Sequence, residues 1–117
     1  MRMFSTFLLA KEQANLKHLT VRQYLYEKRD HFLEELLQRQ LFVYNSADGV
    51  EMVHPADITH AGANQICFGP WPRKTVAQNQ LEKGNPLEYP SLPCIAIRRS
   101  SNHYDYFPLE LVFYVTV

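Results

Sequence analysis

Near residue 41 the spacing of apolar residues changes from a helical to a strand-like period, and this change constrains the fold more than any other feature of the chain. Before it, apolar side chains such as Leu25, Phe32 and Leu36 recur about three or four positions apart or at multiples of that spacing, which places them on one face of a helix. After it, apolar and polar residues alternate in short runs, as they do in strands. An α+β or mostly β, barrel-like domain is therefore expected.

Helix start and end signals stand at two places. Thr20-Val21-Arg22-Gln23 has the pattern of a capping box, which predicts one or two helices over roughly 20–40. Lys74 to Lys83 is predicted to form a further helix that Gly84 ends, because glycine tolerates the left-handed conformation at a helix end. The apolar run after Ser5 fits either a short helix or a buried strand.

Strand signals dominate the rest of the chain. Runs 41–44 and 50–54 flank Asp48-Gly49, a pair that favours a tight hairpin turn. Pro55 is expected to end the second of these strands. Further strands are predicted near Ile58 and at 65–68, 94–98 and 104–114. At 117 residues the chain is expected to be one domain, with a helical lead-in over 1–40 and a barrel plus an inserted module over 41–117.

The charges of the chain cancel, with 12 basic and 12 acidic residues, but they are unevenly spread. Residues 1–40 carry seven basic and five acidic side chains, 41–70 carry none and three, and 71–117 carry five and four. A uniformly basic surface, the usual footprint of a protein that grips nucleic acid non-specifically, is therefore excluded. The middle segment has histidine as its one source of positive charge.

The cysteines and the apolar runs indicate an intracellular protein. Cys67 and Cys94 stand in unlike contexts and are expected to be reduced and semi-buried. No apolar run approaches the roughly 18 residues of a membrane span, and no signal-peptide cleavage pattern follows the first ten residues. We therefore expect no membrane association.

Catalytic motifs are scarce. His54, Asp57 and His60 lie close together and would suit a metal site or a general base, but their spacing is equally typical of a turn rich in local hydrogen bonds. The glycines form no phosphate-binding loop, and no serine-nucleophile motif is present. The sequence predicts no enzyme, no metal and no cofactor. A small hydrolase or metal-binding domain using these three residues stays as an alternative.

Aromatic residues are numerous, 15 in all, and several of them cannot all lie in the core. Tyr44, Tyr89, Tyr104 and Tyr106 admit two interpretations. Their rings are able to stack on unpaired bases, which needs no basic field. They also fit ordinary half-buried tyrosines of a small barrel, with the hydroxyl at the rim.

Three blocks in the last third follow one another in a specific order and spacing over residues 75–111. They are Thr75-Val76-Ala77-Gln78, Leu87-Glu88-Tyr89-Pro90-Ser91-Leu92-Pro93-Cys94-Ile95 and Tyr106-Phe107-Pro108-Leu109-Glu110-Leu111. Together they resemble the closing segment of the PAZ domain of eukaryotic Argonaute proteins. The resemblance implies a barrel related to the oligonucleotide-binding fold, with N-terminal helices and an inserted hairpin-and-helix module. Between barrel and module it implies a cleft for the 3′ end of a single-stranded small guide RNA.

The resemblance also implies a biological setting. The chain would be an RNA-binding, non-enzymatic part of a gene-silencing factor that works in the cytoplasm or the nucleus. It would belong to a longer Argonaute-type protein, whose remainder would be its partner along with the small RNA.

Site roles follow from the resemblance residue by residue. Phe68 stands where the family has a phenylalanine that stacks on the last base, and Tyr106 and Phe107 match positions lining the cleft. His103 or Tyr104 falls near a basic residue of the family pattern. The candidate RNA-binding residues are Phe68, Tyr106, Phe107, Tyr44, Asn45, His54, Asn79 and Tyr104.

Several phosphate ligands of the family are replaced here. The tyrosine that follows the first block is Asn79, and a histidine position is Gly84. A basic-aromatic strand of the family corresponds to 50–54, where His54 is the one possible donor. Each lost hydrogen bond to a charged group costs about 1.5–3 kcal/mol. A degenerate PAZ domain with weak or no RNA binding, acting as a structural or protein-contact module, is therefore the alternative. Basic residues expected to reach the RNA backbone from the rim are Arg73, Lys74, Arg98 and Arg99.

Overall fold

The computed structural model describes residues 2–45, 49–69 and 73–116, in an order of helices and strands close to the expected one. The helices are α1 (Thr6–Leu16), α2 (Val21–Glu27), α3 (Arg29–Leu37) and α4 (Val76–Glu82). The strands are β1 (Arg2–Ser5), β2 (Leu41–Asn45), β3 (Gly49–Val53), β4 (Pro55–Gly62), β5 (Cys67–Phe68), β6 (Lys74–Thr75), β7 (Pro93–Ser100), β8 (His103–Pro108) and β9 (Phe113–Thr116). A single 3-10 turn, Leu109–Leu111, separates the last two strands.

Capping side chains define where α1 and α2, the first two helices of the lead-in, begin. The Ser5 hydroxyl accepts a hydrogen bond from the Phe7 amide, so the run after Ser5 is the helix α1 and not a buried strand. Thr20 and Gln23 make the predicted capping box at the start of α2. Two helices, α2 and α3, fill the segment predicted to hold one or two. Strand β1 was not expected from the sequence.

The strands form three antiparallel sheets within the described part of the chain. Their orders are β1-β9-β2-β3, β4-β7-β8 and the short pair β5-β6. The predicted hairpin is confirmed as β2 and β3, although most of its turn lies outside the described residues. No backbone pairing joins one sheet to another in residues 2–45, 49–69 and 73–116, so the expected barrel is open and not a closed ring of strands.

Pro55 follows the end of the second hairpin strand, as predicted, and it also begins a strand of another sheet. Strand β3 stops at Val53, and β4 begins at Pro55 and pairs with β7, with Pro55 opposite Ile97. Proline lacks an amide donor, which ends pairing on the first sheet without preventing an extended backbone in the second. The chain therefore stops pairing with β2 before Pro55 and pairs with β7 from Pro55 onward.

The main core lies where the three lead-in helices cover the two larger sheets. Seven of its large side chains are essentially inaccessible to solvent: Tyr24, Phe32, Leu36, Leu41, Ile58, Ile95 and Val112. The buried members of this core are Leu9, Ala10, Ala14, Tyr24, Leu25, Phe32, Leu36, Leu41, Val43, Val53, Ile58, Leu92, Ile95, Ile97, Leu109, Val112 and Tyr114.

A small module of β5, β6 and α4 is inserted between β4 and β7. It docks through its own apolar cluster, in which Ala63, Val76 and Cys94 are buried. Two backbone hydrogen bonds support the start of α4, from the Val76 amide to the Ile66 carbonyl and from the Ala77 amide to the Ala63 carbonyl, both 2.9 Å long. The helix begins two residues later than predicted, since Lys74 and Thr75 pair with β5.

The sequence blocks around Tyr89 and Glu110 are in contact. The Glu110 carboxylate accepts hydrogen bonds from the backbone amides of Glu88 and Tyr89, each 3.1 Å long. The Tyr89 ring stacks on Phe7 of α1 at 4.2 Å between centroids. These contacts hold the loop before β7 against the 3-10 turn between β8 and β9 and against helix α1.

The two cysteines have different environments. Cys94 is buried, and burial raises the pKa of its thiol to about 12. Cys67 is exposed, so the expectation of two semi-buried cysteines is wrong for both residues.

No helix in the described residues is both long and apolar enough to cross a membrane.

Candidate nucleic-acid interface

An open cleft of about 350 Å³ separates strand β8 from the inserted module. Its lining comes from three elements, β5, α4 and β8, and from the residues directly following β5 and α4. The lining residues are Phe68, Gly69, Val76, Asn79, Gln80, Lys83, His103, Tyr104, Asp105, Tyr106 and Phe107.

Strand β8 supplies the aromatic wall. It lies at the edge of its sheet and pairs only with β7 among the described strands, so its other side is open to the cleft. Tyr106 is half-buried against the cluster that holds the module, and Phe107 packs on the main core. Tyr104 is more exposed, at 39%. Three aromatic residues of one strand therefore line the cleft, with their backbone held by the sheet.

The same strand also borders an adjoining depression of about 360 Å³. Tyr104 and Tyr106 line it together with Asp57 and Ala96 of the neighbouring strands. The cleft therefore continues across the face of the three-stranded sheet.

Helix α4 supplies the opposite, more polar wall. Val76, Asn79, Gln80 and Lys83 are spaced by three, one and three residues, so they share one face of the helix. The helix starts with a capping box in which the Thr75 hydroxyl accepts a hydrogen bond from the Gln78 amide at 3.0 Å. The cap fixes the first turn and thereby the direction of this face.

Phe68 forms the end wall, in the short pair of β5 and β6. Its ring is 38% exposed, which is unusual for a phenylalanine and leaves a face accessible from the cleft. Gly69 follows with φ of +87°, a left-handed conformation that turns the chain sharply after the ring.

The charges in the cleft nearly cancel. Lys83 is the one lysine or arginine in its lining, and Asp105 is the one carboxylate, among the residues that the structure describes. Asp105 accepts hydrogen bonds from His103 at 3.2 Å and from Arg99 at 2.7 Å.

Arg99 is fully engaged beside the cleft. Two of its nitrogens lie 2.9 and 3.1 Å from the two oxygens of Glu51, and a third binds Asp105. These hydrogen bonds, first to Glu51 and then to Asp105, raise the pKa of Arg99 above its usual value. The two carboxylates offset its charge, so Arg99 is poorly placed to bind a phosphate from the rim.

The other basic residues expected at the rim are also partnered. Lys74 forms an ion pair with Glu82. Arg73 donates to the Cys67 carbonyl at 3.2 Å, and Arg98 donates to the Ser100 carbonyl at 3.2 Å.

Five of the eight predicted site residues lie together in the cleft: Phe68, Asn79, Tyr104, Tyr106 and Phe107. Tyr44 and His54 do not line it. Tyr44 is 68% exposed on β2, with its ring edge against Phe113. His54 links β3 to β4 on the surface, and Asn45 ends β2, with its side chain outside the described part.

Sequence reasoning missed Gln80, Lys83 and Asp105. Helical spacing from Asn79 gives the signal for the first two, since the next residue and the residue one turn later share its face. Asp105 has no such signal, because its orientation depends on Arg99.

The metal alternative receives no support from side-chain placement. Within residues 2–45, 49–69 and 73–116, no three histidine, cysteine, aspartate or glutamate side chains are grouped closely enough to hold an ion. His60 contacts Arg29 instead.

No protein-family model and no curated protein matches the sequence. Solved structures do match. A Drosophila Argonaute PAZ domain in complex with 3′-end 2′-O-methylated RNA has a TM-score of 0.75 and 18% identity, with coverage of 96% of this chain and 98% of that one. A Drosophila Argonaute 2 PAZ domain described for 3′-end recognition of nucleic acids gives 0.65 and 22%, covering 96% and 94%.

A further Drosophila Argonaute 2 PAZ structure, described with its nucleic-acid binding, matches at 25% identity with a TM-score of 0.58 and covers 75% of this chain and 78% of that one. The helical lead-in, the two larger sheets and the inserted module are therefore arranged as in these domains, and the chain has the fold of a PAZ domain.

Proposed function

We propose that the chain is a non-catalytic RNA-binding module that anchors the 3′ end of a single-stranded small guide RNA in a gene-silencing factor. The observation that carries the proposal is the cleft between β8 and the inserted module, which gathers Phe68, Tyr104, Tyr106 and Phe107 around one open space. In this setting the domain belongs to a longer Argonaute-type protein and works in the cytoplasm or nucleus.

The cleft is suited to a strand end. Exposed aromatic faces stack on unpaired bases, and each stack contributes about 1–3 kcal/mol without regard to sequence. Phe68 offers such a face, and the hydroxyls of Tyr104 and Tyr106 are donors for a phosphate or a sugar. A near-neutral lining favours a single terminal nucleotide over a long charged backbone, because backbone binding depends on many cations.

The structural neighbours support the same choice. Two of them are described with the 3′ end of RNA or nucleic acid. Their fold places an inserted module beside a sheet as it stands here, and single-stranded RNA is recognised through splayed bases and stacking.

Binding of a short single-stranded RNA, followed by fluorescence anisotropy, tests the proposal. The unmodified protein is expected to prefer a free 3′ end over one blocked by a bulky group. Phe68→Ala removes the stacking face and is expected to weaken binding of the free end by about fivefold to more than a hundredfold.

Tyr44→Ala is the matched control, since it removes an exposed aromatic ring outside the cleft. It is expected to leave affinity and end preference unchanged. Equal affinity for free and blocked ends, together with no effect of Phe68→Ala, would show that the cleft does not hold the 3′ end.

The charge balance favours a second candidate, a degenerate PAZ domain used as a structural or protein-contact module. Arg99 is occupied by Glu51 and Asp105, which leaves Lys83 as the one lysine or arginine side chain of the described cleft lining. No measurable binding of either RNA, with a folded protein, would select this candidate.

A further inference from the structure

A second pocket, of about 270 Å³, lies on helix α2 and strand β4; it shares no lining residue with the cleft and one, Thr59, with the depression that adjoins the cleft. The residues that carry its chemistry are Arg22, Tyr26, Arg29, His60, Asn64 and Ser91. Arg22 and Tyr26 are four residues apart in α2 and therefore share a face of that helix, and Arg29 begins α3 and lines the same pocket. We propose that this pocket binds a nucleotide unit of single-stranded RNA, with the phosphate on the two arginines and the base on Tyr26.

The electrostatics of this pocket differ from those of the cleft. Its described lining holds two arginines and no carboxylate. Neither Arg22 nor Arg29 takes part in an ion pair within the described residues. Arg22 donates to the hydroxyl of Ser91, and Arg29 contacts a ring nitrogen of His60, so both guanidinium groups are oriented by partners other than carboxylates. Two arginines that line one pocket, with no carboxylate in its described lining, match the charge and the hydrogen-bonding geometry of a phosphate.

The pocket also has a rigid floor. The Ala63 and Asn64 amides donate to the carbonyls of Leu92 and Pro90, at 3.0 and 2.8 Å, and so close the end of β4 against the loop before β7. Gly62 sits where a side chain would collide with the backbone of Ser91. The loop that carries Ser91 is therefore held in place before any ligand arrives, which lowers the entropic cost of binding.

Tyr26 makes a nucleotide a better occupant than a simple anion. Its side chain is 79% exposed beside the arginines, and none of the ring pairs in the described residues includes it. A solvated aromatic face next to a phosphate site allows a base to stack. The amide side chains of Asn64 and Gln65, both exposed in the lining, supply donors and acceptors for the sugar or the base edge.

RNA binding measured with a blocked 3′ end tests this pocket separately from the cleft. Arg22→Gln with Arg29→Gln is expected to weaken binding of the blocked and the free oligouridylate by the same factor, about tenfold. The slope of log affinity against log salt is expected to become shallower by about 0.7, because the variant neutralises one phosphate fewer. Tyr26→Ala is expected to weaken both RNAs about fivefold.

Lys11→Gln with Lys17→Gln is the control, because it removes two exposed positive charges from the region of α1 without touching the pocket. If the arginine pair and the lysine pair change affinity and salt dependence equally, the pocket proposal is overturned. If Phe68→Ala does not weaken binding of the free 3′ end, the proposed function fails but the test of the pocket stands, because binding of the blocked RNA does not depend on the cleft.

Small ligands separate a nucleotide site from an anion site. Uridine monophosphate is expected to shift the NMR signals of Tyr26 as well as those of both arginine side chains, whereas inorganic phosphate is expected to shift the arginines alone. A phosphopeptide that competes for the pocket while uridine monophosphate and RNA leave it unperturbed would overturn the assignment to RNA.

Discussion

Gly62 is the last residue of β4, where the chain leaves the three-stranded sheet for the inserted module, and it also lines the second pocket. A Cβ placed there would lie 2.4 Å from the Ser91 carbonyl oxygen, which is backbone and has no flexible end to move aside. The absence of a side chain lets β4 and the loop before β7 approach each other, and this approach supports both the inserted module and the second pocket.

Gly62→Ala is therefore expected to lower the free energy of unfolding by about 3 kcal/mol, as overpacking of rigid backbone does. Gly84→Ala is the matched control, because Gly84 has φ of +81° but open space around it. The strain of a left-handed alanine is expected to cost about 1 kcal/mol. Urea unfolding of both variants measures the difference, and an equal loss would contradict the steric explanation.

At the residue scale, the site was predictable where a side chain's role follows from its place in a sequence block. Tyr106 was identified in this way and Phe68 from its spacing in the family pattern, and the structure places both in the cleft. Tyr44 and His54 were proposed from residue type and neighbouring positions, and they lie outside it. Which sheet face a residue occupies depends on strand pairing, which residue type does not determine.

Helix α4 is the element on which the polar wall of the cleft depends. It has seven residues, too few for an isolated helix to be stable, so its cap and its docking cluster hold it. Thr75→Ala removes the hydroxyl that accepts from the Gln78 amide and is expected to cost about 1 kcal/mol. We expect faster hydrogen exchange at the α4 amides and weaker RNA binding.

Thr20→Ala removes the equivalent hydroxyl from the capping box of α2 and serves as the control. Its loss of stability is expected to be similar, while exchange at α4 stays as in the unmodified protein under native conditions. Equal acceleration at α4 in both variants would mean that the module opens only when the whole domain unfolds.

Helices and strands were predictable where the sequence signal is local, and they were missed where the signal depends on pairing between strands that are distant in the sequence. The capping box of Thr20 and Gln23 predicted the start of α2, because its groups are only three residues apart, whereas the start of α4 was predicted two residues too early. Strand β1 pairs with β9 across nearly the whole chain, and no local pattern reveals such a partner. The second hairpin strand ends before Pro55 as expected, but the start of β4 at Pro55 was missed, since a missing donor prevents one pairing and not an extended backbone.

At the scale of the whole molecule, the zero net charge is the sum of surfaces whose local charges differ. The cleft balances Lys83 against Asp105, and Arg99 is neutralised by two carboxylates. The second pocket instead concentrates Arg22 and Arg29 without a carboxylate in its described lining. Neutrality of the chain therefore excludes a uniform basic surface but permits a local cationic site in a pocket that shares no lining residue with the aromatic cleft.

The stability of the whole domain is expected to fall above about pH 10 because of Tyr24 in the main core. Its hydroxyl is hydrogen-bonded to His31 at 2.7 Å, and burial, followed by the nearby charge of Glu35, raises its pKa from 10.0 to about 12. Above pH 10 the unfolded chain ionises this tyrosine while the folded chain keeps it neutral. The tyrosine's contribution is thus complete below pH 10 and declines between pH 10 and pH 12, by up to about 2 kcal/mol.

Tyr24→Phe isolates this effect in urea unfolding measured across that range. Near neutral pH the variant is expected to be about 1 kcal/mol less stable than the unmodified protein, because it lacks the hydrogen bond to His31. The difference is expected to shrink above about pH 10, since phenylalanine does not ionise in either state. Tyr26→Phe, at an exposed ring, is expected to follow the unmodified protein throughout. Parallel curves for Tyr24→Phe and the unmodified protein would mean that Tyr24 ionises as readily in the folded core as in water.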